Sequence, residues 1–224
     1  MLNAGGRALW QDGLRAIFHR SFNVVAAINL LVMTAYYMLF VTGTLHVRET
    51  YGASLSVAGL SGGIMVIGCL SGRFASGSLL SFFGCRAMLL AGLLLFSGSV
   101  ASSLLAESLP LLFLQRLLTG IAVGVTGTAT GTIIAYVVPR EYHGLGISLF
   151  SMSTAMALAA GPFFGIALVD GSGYGAVVWT TCGFGLACLA LFFVLGSLPP
   201  MLKKHRPMTD LYSYIDPRVV RFSL

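Results

Sequence analysis

Charge is scarce in this chain: Asp, Glu, Lys and Arg make up only 9% of its 224 residues, against about 25% in an ordinary soluble domain. A soluble fold of this length needs a polar shell, and so little charge excludes one. None of the four residue types occurs from Ser21 to Leu45, Thr50 to Gly72, Ala87 to Ala106, Leu117 to Pro139, Tyr142 to Val169 or Gly171 to Leu202. Each run reaches the ~20 residues with which an α-helix crosses a ~30 Å hydrocarbon core. Polar and apolar residues do not alternate, which excludes barrel strands. Backbone polar groups in lipid must pair within their own segment, so helices remain. The sequence predicts an all-α membrane protein with six transmembrane helices, over 22–43, 56–80, 87–106, 109–138, 145–169 and 175–198.

Other absences narrow the function. The first apolar run follows Arg15, His19 and Arg20 as a signal peptide would. It exceeds the 7–15 residues of a signal core and lacks a small-x-small cleavage site, so it reads as a retained helix. Cys69, Cys85, Cys182 and Cys188 form no CxxC or Cys/His spacing, so no metal site and no disulfide framework is indicated. The basic residues lie in short loops and tails without aromatic interleaving, so the net charge of +6 sets topology and does not point to nucleic acid. No carboxylate lies within a predicted span: Asp12, Glu49, Glu107, Glu141, Asp170, Asp210 and Asp216 all fall in loops or tails.

Topology follows from the basic residues. Arg7, Arg15, Arg20, Arg86, Arg140, Lys203, Lys204, Arg206, Arg218 and Arg221 fall on one side, against Arg48 alone on the other. The positive-inside rule then puts both termini in the cytoplasm. Residues 1–21 and 199–224 are read as cytoplasmic tails and 22–198 as the six-helix body. Asp170-Gly171-Ser172-Gly173 reads as a turn, and Pro110 and Pro139 bound the fourth helix. Arg73 and Arg116 remain within helices. Glycine pairs at a spacing of four (Gly68/Gly72, Gly120/Gly124, Gly127/Gly131, Gly161/Gly165) permit close helix approach where water drives no association.

Three segments are more specific. Gly77-Ser-Leu-Leu-Ser81-Phe-Phe-Gly84-Cys85-Arg86 lies between the second and third predicted helices, and Arg116-x-x-x-Gly120-x-x-x-Gly124 lies in the fourth. Gly161-Pro162-Phe-Phe-Gly165 lies in the fifth. In this order, with this topology, the segments resemble elements of the major facilitator superfamily across roughly residues 20–200, in its N-terminal six-helix half. The resemblance implies a half built from two inverted three-helix repeats. It also implies a buried, functional Arg116 and gating roles for Gly77, Gly84, Arg86, Gly120, Gly124, Gly161, Pro162 and Gly165. Ser81 stands where the family's loop carries Asp, so the charge-paired cytoplasmic latch should be weak or absent. The Gly161-Pro162 element is similar to one associated with the antiporter branch, implying efflux of a small solute by alternating access, proton-coupled or facilitated.

Asn29, Tyr36, Gln115 and Arg116 are the candidate solute or coupling contacts; Asn29 and Tyr36, seven residues apart, share a helix face. A lone intramembrane Arg costs about 2.5–3.5 kcal/mol on insertion scales and therefore needs a partner or a wet cavity. No cofactor and no catalytic residue is called for, and the expected partners are the lipid bilayer, a small solute and, where transport is proton-coupled, H+. Residues 214–224 resemble the approach to a seventh helix, so the chain reads as a partial transporter. Its second wall would be a missing C-terminal half or a homodimer partner; a transport-incompetent module is the alternative. An intramembrane serine protease is remote, because Gly146-Ile-Ser148-Leu149 lacks the second glycine and all four histidines fall outside the predicted helices.

Overall fold

The computed structural model describes residues 17–103 and 108–196, which form five long helices and one short 3-10 turn. The predicted tails before residue 17 and after 198, Glu107 and the segment 214–224 lie outside the described residues. Helix α1 is Arg20–Tyr51, closed by Gly52 in the left-handed conformation (φ 58). Helix α2 is Leu55–Ser102, opened by the Ser54 hydroxyl accepting from the Val57 amide. Helix α3 is Leu109–Val137, with Pro110 in its first turn. The 3-10 turn Arg140–Tyr142 leads into α4, His143–Ser172, and α5 is Tyr174–Val194. All five are long and apolar enough to cross a membrane.

Helix α2 has 48 residues, about 72 Å if straight at 1.5 Å per residue. It is not straight. Gly84, at φ 78 and ψ 160, leaves helical geometry and separates arms 55–83 and 85–102. The arms run in opposite directions along α3: Gly68 and Gly72 face Leu117 and Ile121, whereas Gly92 and Ser99 face Thr126 and Thr119. Only glycine takes that φ without a Cβ penalty, so the chain reverses on a single residue. The predicted loop across Ser81–Arg86 is otherwise helical.

Three further boundaries differ from the sequence reading. Helix α1 continues to Tyr51 rather than 43, so His46, Arg48 and Glu49 are helical. The turn predicted from Asp170 shrinks to Gly173 (φ 80), because α4 runs through Ser172. Helix α5 stops at Val194 rather than 198, followed by Gly196 at φ 68. Charge marks where the apolar stretch ends, and a helix can project beyond that stretch with its backbone still paired.

The glycine pairs divide by what they touch. A Cβ on Gly68 or Gly72 would strike the backbone of Leu117 or Ile121, and one on Gly120 or Gly124 the backbone of Met65, Cys69 or Arg73. These four glycines form one mutual backbone contact between the 55–83 arm and α3. Gly161 and Gly165 seat α4 on Thr34, Tyr37, Met38 and Thr42 of α1. Gly131 faces open space. Many buried hydroxyls bond within their own helices, as Thr42 donates to the Met38 carbonyl and Thr130 to that of Thr126.

Candidate functional site

Two polar places interrupt the apolar packing, one towards each end of the bundle. The first is a groove between α1, the 55–83 arm, α3 and α4, made of adjoining cavities of about 470 and 400 Å³. Met33, Arg73, Thr154 and Leu158 line both. Asn29 is buried, and its amide donates to Ser153 Oγ at 2.8 Å and Thr154 Oγ1 at 3.0 Å, tying α1 to α4. One heptad on, Tyr36 lines the second cavity with Tyr37 and Phe40, and the two tyrosine rings meet edge to face at 5.3 Å. The shared face predicted for Asn29 and Tyr36 is therefore the groove floor. Arg73, exposed on the 55–83 arm, and Pro162 on α4 form opposite walls. Amide, hydroxyl, phenol and guanidinium groups from α1, α2 and α4 thus converge on an otherwise apolar surface.

The second place is built around Arg116, which is 1% exposed. Its guanidinium donates to the Leu39 carbonyl of α1 and to the Tyr174 hydroxyl of α5 at 3.0 Å, and it lies 3.8 Å from Met65 Sδ. Its Nε has no partner among the described residues. Nη2 fills the space where a side chain on Gly43 would begin, so α1 carries glycine where the guanidinium lies. Beyond it, the Tyr174 ring stacks on His46 with centroids 3.9 Å apart, and His46 Nδ1 shares a hydrogen bond with Thr50. Arg116 therefore joins α1, α3 and α5 from inside the bundle, the orientation expected of it, and does not reach for the surface.

The remaining sequence candidates are placed as follows. Gln115 is buried, donating to Thr119, whose hydroxyl in turn meets Ser99. It braces α3 against the 85–102 arm and lines neither cavity of the groove. Gly77 lies inside helix with open space around it, and Gly84 is the reversal. Arg86 stacks over the Phe192 ring at 5.4 Å, holding the start of the second arm to α5. Ser81 Oγ bonds the carbonyl of Ser78 in its own helix. No local pattern marks Ser153, Thr154, Tyr174 or Gly43, whose partners lie up to 125 residues away.

The profile of the Major Facilitator Superfamily matches residues 25–219. This chain belongs to that superfamily. The facilitator chain is 26% identical over 152 residues to the arabinose-proton symporter of Bacillus subtilis (strain 168), covering 66% of itself and 33% of that relative. It is 26% identical over 195 residues to the glucose facilitated diffusion protein of Zymomonas mobilis subsp. mobilis, covering 77% of itself and 40% of the relative. It thus spans less than half the length of these curated relatives. Its fold is similar to that of the xylose transporter XylE from E. coli in the inward-open conformation, with a TM-score of 0.61 at 17% identity, over 81% of this chain and 48% of that one.

Proposed function

We propose that the chain forms the N-terminal six-helix half of a sugar-type facilitator and contributes one wall of a central site for a small polyhydroxylated solute, moved by alternating access. The two arms of α2 count as two membrane spans in this reading, giving two inverted three-helix repeats in residues 22–198. The observation that carries the reading is the groove, where Asn29 and its partners Ser153 and Thr154 offer neutral donors and acceptors beside aromatic rings. Neutral groups of this kind suit sugar hydroxyls, and the relatives' names, a sugar symporter and a sugar facilitator, point the same way. The reading covers both facilitated and proton-coupled movement, as the names of the two relatives do. Export rests on the Gly161-Pro162 element alone. The second wall comes from a further six helices, in a longer protein or a second copy. A transport-incompetent six-helix module is the second reading.

The test is sugar counterflow in proteoliposomes. With radiolabelled arabinose, xylose and glucose, Asn29→Ala should reduce the exchange rate about fivefold, the scale of one or two lost neutral hydrogen bonds. Equal rates in wild type and Asn29→Ala would remove the groove from the transport path. Exchange that is absent for every sugar would favour the incompetent module.

In the same reading both termini are cytoplasmic, at the plasma or inner membrane, and the α1–α2 connection faces outward. A cysteine at Glu49 should react with an impermeant maleimide added to intact cells, and one at His205 should react only after permeabilisation. The reverse pattern would invert the topology.

A further inference from the structure

We propose that a second solute site, distinct from the groove, lies at the opposite end of the bundle and takes a neutral polyhydroxylated molecule of monosaccharide size. A cavity of about 580 Å³ opens there among the ends of α1, α2, α3, α4 and α5, within the ~300–1,000 Å³ range of small-molecule sites. Its polar lining comes from His46, Glu49 and Thr50 of α1, Ser103 at the end of α2, and Tyr174 of α5. It shares no lining residue with the groove. Between them stands Arg116, whose guanidinium occupies the space beside Gly43 and bonds the Leu39 carbonyl.

The chemistry of the lining selects the ligand. The Tyr174 hydroxyl accepts from the Arg116 cation, so its own proton is polarised and free to be donated to a guest. Ser103 Oγ has no hydrogen-bond partner among the described residues, and a rotation of its side chain towards the cavity would offer it to a guest hydroxyl. Glu49 supplies a carboxylate acceptor, and the His46–Tyr174 stack supplies a flat aromatic surface for the C–H face of a sugar ring. Glu49 puts one carboxylate on the lining, and the Arg116 cation lies behind Tyr174, outside it. A neutral molecule rich in hydroxyls uses the carboxylate as an acceptor and needs no charge of its own to be held. The choice of a sugar rests on the transport reading above; the separateness of the two sites does not.

Two thiols in the full-length chain in lipid nanodiscs can report the two sites independently. Native Cys69 lines the groove, and Thr50→Cys places a thiol on the second cavity. Maleimide labelling of each would be quantified by peptide mass spectrometry against rising arabinose, xylose or glucose. The expected result is protection at both positions. Asn29→Ala should weaken protection of Cys69 while leaving that of Thr50→Cys unchanged. Tyr174→Phe should weaken protection of Thr50→Cys by about three- to tenfold. Ser103→Ala, a smaller change that removes only the unpartnered hydroxyl, should act in the same direction if Tyr174→Phe fails to fold. Protection at Cys69 alone would overturn the second site and leave the transport reading standing. Thr50→Cys protection that weakens together with Cys69 in Asn29→Ala would also overturn it, as a remote conformational effect. Protection at neither thiol would remove both proposals.

Discussion

Replacing Gly120 with leucine should leave little folded protein in the membrane, whereas Gly131→Ala, eleven residues further along the same helix, should leave the yield and thermal midpoint undiminished. A Cβ on Gly120 falls against the Met65 carbonyl oxygen, with the Cys69 nitrogen 2.9 Å away and the Met65 carbonyl carbon at 3.0 Å. Every one of these atoms is backbone inside the 55–83 arm, so no rotamer change can relieve the contact. The contact is also reciprocal, since Gly68 and Gly72 of that arm meet the backbone of α3 just as closely. Overpacking a close-packed site costs about 1–3 kcal/mol, and leucine here would have to separate the two helices along the whole contact. Gly120→Ala gains about 1 kcal/mol of helix propensity, and the collision should still outweigh it. Nothing lies within 4 Å of a Cβ on Gly131, so Gly131→Ala keeps the propensity gain without a collision. Size-exclusion chromatography of heated, detergent-solubilised samples measures both. Equal thermal midpoints for wild type and Gly120→Ala would show that the two helices can part without cost.

The same comparison shows what sequence spacing conveys. Three of the four glycine pairs singled out by spacing include a backbone contact with another helix, because close approach in lipid depends on small residues at one-turn intervals. The fourth pair does not: Gly127 meets only the flexible tip of Met33, and Gly131 meets nothing. Spacing identifies a smooth helix face but not whether a neighbour uses it. The inward orientation of Arg116 was legible from the cost of burying it and from the glycines one and two turns on. Its partners were not, because Tyr174 and Leu39 lie 58 and 77 residues away and carry no local signature. Gln115, one residue before Arg116, turns about 100° from it around the helix. It therefore meets Ser99 through Thr119 rather than the groove. A polar side chain inside a predicted span marked it as a candidate contact, but its place on the helix turns it towards the 85–102 arm. The boundary at Gly84 was located as a loop but not as one residue, since the flanking Phe83 and Cys85 are as compatible with helix as with turn.

Gly43 and Arg116 should behave as a coupled pair. Gly43→Ala sets a methyl group on the guanidinium, which is enclosed on its other sides by Leu39, Met65 and Tyr174. With Arg116 only 1% exposed, the displaced end has no open route to water. Arg116→Met removes the hydrogen bond to Tyr174 and leaves a void beside Gly43, with a cavity cost of about 24 cal/mol per Å³. Each change alone should therefore lower the thermal midpoint. Combined, the added methyl group partly fills the void, and the collision it caused no longer exists. Contacting residues typically show coupling energies of about 0.5–3 kcal/mol, and the sign here is fixed by the overlap: the double variant should be more stable than the sum of the single losses predicts. Strict additivity of the two midpoint shifts would show that the guanidinium leaves the space beside Gly43 in the folded protein, and with it the link Arg116 makes between α1 and Tyr174.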